Sequence, residues 1–120
     1  MTTVLIVDDE EVIRLLISDI LSDEGFKVHT ANDGKQGLEA AQTLRPDLIL
    51  LDMAMPQMTG FEVVRRLKRD EATRRIPILA VTAADTQADL DELYESGCDR
   101  HLSKPIRPDM LLEKVKELLP

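Results

Sequence analysis

The chain has 120 residues, 43% apolar and 32% charged, which suits one soluble globular domain; no run approaches the roughly 18 apolar positions of a membrane span. Fifteen basic against 23 acidic residues leave a net charge of −8, which argues against a nucleic-acid surface and for cations or basic protein faces as partners. A lone Cys98 excludes an internal disulfide and a cysteine-based metal site, and Met1 to Val7 lack a secretory signal, so the expected location is the cytoplasm.

In chain order, compact apolar runs alternate with longer segments of helical period, the pattern of parallel strands joined by crossover helices. Val4–Val7 opens the chain as a nearly all-apolar strand. A helix over 10–23 follows, on which Val12, Ile13, Leu16, Ile17 and Ile20 define the expected buried face; Glu11, Arg14, Ser18 and Ser22 fall opposite, with Leu15 among them. Lys27–Ala31 mixes polar and apolar positions and is expected at a sheet edge, followed by a helix over 35–44. Leu48–Leu51 reads as a central strand, and a helix over 59–70 comes next. Ile78–Val81 is a further central strand, ahead of a helix over 86–95. Arg100–Ser103 reads as a second edge strand and 108–118 as the last helix, with Gly25, Gly34, Gly60 and Gly97 punctuating the boundaries. The expected fold is therefore α/β: one domain over 1–120, with five parallel strands and helices on both faces.

In an open parallel sheet, ligands bind beyond the carboxyl ends of the strands, where neighbouring crossovers diverge. Asp8-Asp9 follow the first strand, Asp52 ends the third, Thr82 ends the fourth and Lys104 follows the fifth, so these five positions converge on one edge. Two unit charges about 4 Å apart repel by about 4 kcal/mol at an effective dielectric near 20, and such a cluster needs positive charge. Lys104 supplies one; a hard dication with oxygen ligands, Mg2+ above all, would supply the rest and leave positions open for phosphate oxygens. Taken singly, each residue has a plain structural reading: the acids could open a helix, Asp52 close a strand, Thr82 end one, and Lys104 stand in solvent. Their agreement in position favours phosphoryl chemistry.

Asp8-Asp9, Asp52-Met53-Ala54-Met55-Pro56 through Gly60, Thr82-Ala83 and Lys104-Pro105 resemble, in order and spacing, the signature of response-regulator receiver domains, and the resemblance covers essentially the whole chain. It implies a flavodoxin-like sheet of order 2-1-3-4-5 and a switch in which Asp52 takes a phosphoryl group from a histidine kinase or histidine phosphotransfer protein. Asp9 and Asp52 would then bind Mg2+ directly, Asp8 through water, and Ala54 through its backbone carbonyl. Lys104 would contact a phosphoryl oxygen. Thr82 would turn inward as the switch, and the surface of the fourth helix, fifth strand and fifth helix would change to regulate a protein target. The resemblance suggests a cis Lys104–Pro105 bond, where the sequence alone gives a trans turn. It also implies a monomer, with dimerisation on phosphorylation left open, and no turnover of an external substrate.

His101 stands where such domains often carry Tyr or Phe; as an imidazole it permits a pH-sensitive output. Ala54 and Ala84 are small where many receivers are polar. Glu11, Arg14, Leu15 and Ser18 flank the site and form the expected donor-docking face. A haloacid-dehalogenase-type phosphohydrolase needs a second acid where Ala54 stands, and a flavin binder needs a phosphate-cradling loop where Asp8-Asp9-Glu10-Glu11 would repel phosphate. The sequence suits a stand-alone receiver and a domain of a longer regulator or hybrid kinase equally.

Overall fold

A computed structural model describes residues 1–84 and 86–119. Its elements are β1 (Thr3–Val7), α1 (Glu11–Asp23), β2 (Lys27–Ala31), α2 (Gly34–Leu44), β3 (Leu48–Asp52), α3 (Gly60–Arg69), β4 (Ile78–Thr82), α4 (Gln87–Ser96), β5 (Arg100–Ser103) and α5 (Pro108–Leu118). All four strand pairings are parallel and the order is β2-β1-β3-β4-β5. The expected elements are all present, with ends displaced by a residue or so. Local chemistry sets several of those ends. The side chains of Asp33, Thr59 and Thr86 accept from the third amide of their helices, and Gly97, at φ +119°, closes α4 in a left-handed conformation costly to a residue with a Cβ.

Alternation along the strands divides the core into two layers. Leu5, Val7, Ile49, Leu51, Ile78 and Ala80 face one way, against Ala41 of α2, Val63, Val64 and Leu67 of α3 and Leu93 of α4. Val4, Ile6, Leu48, Leu50, Leu79 and Val81 face the other, against Ile17 and Leu21 of α1 and Leu111 and Val115 of α5. β3 and β4 are buried throughout, which explains their unbroken apolar sequence, while β2 and β5 are the half-exposed edges. The crossover after β1 goes to one face and that after β3 to the other, although the strands are neighbours. Their carboxyl ends therefore flank a topological switch point, where a cleft opens. No described helix is long and apolar enough to cross a membrane.

One expectation needs correction. The buried line of α1 is Ile13, Ile17, Ile20 and Leu21, whereas Val12 and Leu16, expected inside, are 75% and 38% exposed. The apolar arc of this helix covers about two thirds of its circumference, more than the sheet can cover, so periodicity did not identify the covered part. Leu15 is 56% exposed, on the outer face where the sequence placed it.

Candidate functional site

The cleft is built from the ends of β1, β3, β4 and β5. Asp8 directly follows β1 and is nearly fully buried, its backbone amide bonded to the Ala31 carbonyl at 3.2 Å. Its Oδ1 accepts from the Glu10 amide at 2.8 Å, and the Arg14 guanidinium donates to its carbonyl oxygen at 2.8 Å. Asp52 is equally buried, and its Oδ1 accepts from the Ala54 amide at 3.1 Å. Among the described residues, ligand atoms of Asp8, Asp9, Glu10 and Asp52 all lie within 4.8 Å of one another. Glu10 is a member that the sequence did not single out; its adjacency to Asp8-Asp9 was the available signal.

Lys104 crosses the cleft to these acids. Its ammonium is 3.6 Å from Asp52 Oδ1 and 3.4 Å from Glu10 Oε1. The following Lys104–Pro105 peptide is cis, and the Lys104 amide donates to the Thr82 carbonyl at 2.9 Å. The Thr82 hydroxyl accepts from the Ala84 amide at 3.0 Å, which holds it in the β4–α4 turn. Thr82 and Ala54 together line a 160 Å³ cavity that runs beneath α4 past Ala84, Asp89 and Leu93.

Burial dominates the electrostatics. It pushes the Asp8 carboxyl up to about 6, assisted by the Asp52 charge and opposed by the Glu10 amide and Lys104. Asp52 is raised by the same cause, against the pull of the Ala54 amide and Lys104. The Lys104 ammonium is held above its ordinary range, because the attraction of Asp52, Asp8 and Glu10 outweighs its own desolvation. Among the described residues, one buried side-chain oxygen, Oδ2 of Asp8, has no hydrogen-bond partner. An unpaired buried carboxylate oxygen among four acids suits a hard cation or its bound water, so the donor set fits Mg2+.

Of the expected docking residues, Glu11 and Leu15 are exposed, Ser18 is half-buried, and Arg14 is drawn inward to brace the β1–α1 turn. His101 on β5 is half-buried and meets the hydroxyl of Tyr94 from α4, a partner that sequence spacing did not suggest. Cys98 is buried beside Ser96, and burial pushes its thiol up to about 11, an unreactive setting.

A doubly wound parallel sheet with buried acids and a lysine at its topological switch point places the protein among the α/β folds whose ligand clefts lie at the carboxyl ends of the strands. The match is closer than class. The model of the response regulator receiver domain matches residues 4–116, and the chain belongs to that family. Receiver domains are switches of two-component signalling, which take phosphoryl groups from histidine kinases and act on downstream targets. The chain is 36% identical over 117 residues to the polar-differentiation response regulator DivK of Brucella anthropi, covering 98% of this chain and 95% of that protein. It is 41% identical over 119 residues to the DNA-binding dual master transcriptional regulator RpaA of Synechocystis, covering 99% of this chain and 49% of that protein. Among solved structures, the chemotaxis protein CheY4 of Vibrio cholerae superposes with a TM-score of 0.94 at 38% identity, over 99% of both chains. The receiver domain of a Pseudomonas aeruginosa sensor histidine kinase, with a magnesium ion coordinated in its active-site cleft, gives a TM-score of 0.89 at 30% identity, over 98% and 96%.

Proposed function

We propose that residues 1–120 act as one phosphorylation switch, with Asp52 accepting a phosphoryl group from a phosphohistidine donor. The observation that carries this reading is the placement of Asp52: a buried carboxylate at the end of β3, inside a four-acid cluster and 3.6 Å from a single ammonium. A carboxylate oxygen of Asp52 attacks phosphorus, a P–O bond forms as the P–N bond breaks, and the imidazole leaves with a proton. Lys104 then steadies a phosphoryl oxygen. Asp8, Asp9 and Asp52, with the carbonyl of Ala54, would hold Mg2+. When bound, Mg2+ neutralises the acids and the phosphoryl oxygens.

The Thr82 hydroxyl carries the signal outward. In the resting arrangement it accepts from the Ala84 amide, and its own hydrogen is free to donate to a phosphoryl oxygen once it turns inward. The turn breaks its bond to Ala84 and draws the β4–α4 loop toward the cavity beneath α4, which alters the α4-β5-α5 surface offered to a protein target. The donor docks on α1, where Val12, Leu15 and Leu16 expose apolar side chains beside Glu11.

Intact-mass spectrometry after incubation with acetyl phosphate, with and without Mg2+, tests the proposal on wild type and Asp52→Ala. The expected result is a Mg2+-dependent phosphoryl adduct on wild type alone. No adduct with either acetyl phosphate or phosphoramidate would overturn it and favour a binding module that works without phosphate.

A further inference from the structure

The ring of Tyr94 on α4 meets that of His101 on β5 edge to face, with centroids 5.6 Å apart and planes at 78°, and the tyrosine hydroxyl is hydrogen-bonded to His101 Nδ1. This is a polar clasp between the helix over Thr82 and the edge strand. The residue next to Tyr94, Leu93, is buried and lines the 160 Å³ cavity shared with Thr82 and Ala84. Tyr94 thus ties α4 to β5 one residue from Leu93, which packs in the core and borders the cavity shared with Thr82.

We infer that Tyr94 is a positioning residue of the switch: its hydroxyl, donated to Nδ1 of neutral His101, holds α4 in its resting place, and protonation of His101 loosens that hold. The inference rests on the phosphorylation reading above and assigns its regulation. A neutral imidazole with its hydrogen on Nε2 accepts at Nδ1; an imidazolium donates from both nitrogens, so the bond persists only reversed, with the tyrosine oxygen accepting, and the loosening comes from the new positive charge among the surrounding cations. The surroundings also disfavour a cation. His101 shares its neighbourhood with Arg100 on its own strand, Lys114 on α5 and Arg107 across a 340 Å³ cleft. Its pairing partner on β4 is the uncharged Ala80. The nearby carboxylate of Glu117 is already paired with both Arg100 and Lys114. Burial, and then Lys114, hold the imidazole below its ordinary range, in keeping with a neutral clasp at pH 7.

NMR on the full chain tests this, with the His101 ring protons and the α4 amides followed from pH 5 to 8 in wild type, Tyr94→Phe and His101→Gln. In wild type the α4 amides should titrate with the His101 midpoint. Tyr94→Phe should shift that midpoint by about 0.4 to 1 unit, the equivalent of one hydrogen bond, although phenylalanine keeps the packing. His101→Gln should abolish the α4 titration, which separates it from that of Asp8. An unchanged His101 midpoint in Tyr94→Phe, or α4 amides flat through that midpoint, would overturn the clasp. Adding beryllofluoride with Mg2+ distinguishes the two readings. Movement of Thr82, Tyr94 and His101 signals together supports the coupling; movement of Thr82 with Tyr94 and His101 unmoved overturns it and leaves the phosphorylation reading intact. No response at Asp52 or Thr82 would instead defeat the phosphorylation reading and the coupling with it, the clasp itself being judged by the pH series.

Discussion

The Lys104 ammonium stands 3.6 Å from Oδ1 of Asp52 and bridges from it to Glu10, so the proposed nucleophile has a counter-charge built into the fold. Desolvation raises the Asp52 carboxyl and Lys104 works against that rise. Lys104→Met should therefore raise Asp52 further and remove a contact to the phosphoryl group. Adduct formation from acetyl phosphate is expected to slow at least about a hundredfold, the scale on which one preorganised charge-stabilising contact acts. Time-resolved intact mass would check it, with Mg2+ titration as the control for an intact acid cluster.

The pH dependence of the metal-free protein has a definite sign. Asp8 titrates near 6 in the fold, above the ordinary 3.8, so the folded state binds more protons than the unfolded chain between those values. Its contribution favours the fold at the acid end and is lost as pH rises from about 4 to 6, on the order of 1 to 3 kcal/mol. Denaturant midpoints without metal should carry this downward component, and saturating Mg2+, which favours the ionised acids, should reverse it. A metal-free Asp8 contribution that grows with pH over that range would contradict the assignment.

Asp8→Asn takes one buried charge out of the cluster. The metal-free protein should gain about 1 kcal/mol or more at pH 7.5, since the variant no longer ionises a desolvated acid beside Asp52. Mg2+ affinity should fall at least about tenfold. Thermal melts with and without Mg2+ report both effects, and a variant that Mg2+ stabilises as strongly as wild type would remove Asp8 from the ligand set.

At Gly60 the loop after Asp52 packs closely on the start of α3. A Cβ there would meet Met53 Cα at 2.6 Å and the Asp52 carbonyl oxygen at 2.7 Å, both of them backbone atoms. A Cβ at Gly37 would meet the γ-methyls of the buried, β-branched Val7 at 2.8 and 2.9 Å, side-chain atoms outside the Asp52 loop. Gly60→Ala should cost about 3 kcal/mol, at the upper end for overpacking, and slow phosphorylation by displacing Asp52; Gly37→Ala, which presses on a core side chain, should also lower stability but leave phosphorylation nearer wild type. Equal costs and equal rates would show that the loop yields freely.

Leu15→Asp should reduce transfer from a cognate histidine donor at least tenfold, or about 1.4 kcal/mol, with acetyl phosphate labelling intact. Val12→Asp should act alike, because both side chains project from the exposed stripe of α1. Transfer at the wild-type rate in both variants would move the docking face elsewhere.

The sheet was legible because its central strands are short and almost wholly apolar, as burial between two helical layers requires, and the mixed runs fell at the edges for the same reason. The five positions at the carboxyl edge followed from knowing where each strand stops. α1 was less legible. Seven apolar residues wrap much of its circumference, and only packing against β1 and β2 selected Ile17 and Leu21 over Val12 and Leu16.

The sequence by itself determined the order of elements, the fold class and the residues delivered to the cleft, since each is a periodic or terminal property of a short segment. Tertiary structure decided the rest: that Asp8 is buried while Asp9 is exposed, that Glu10 joins the cluster, that Lys104 reaches a partner 94 positions away, and that Tyr94 closes on His101. These are distances and desolvation between separate segments, and they exist only once helices and strands have packed, because local periodicity specifies which way a side chain faces and not what it meets.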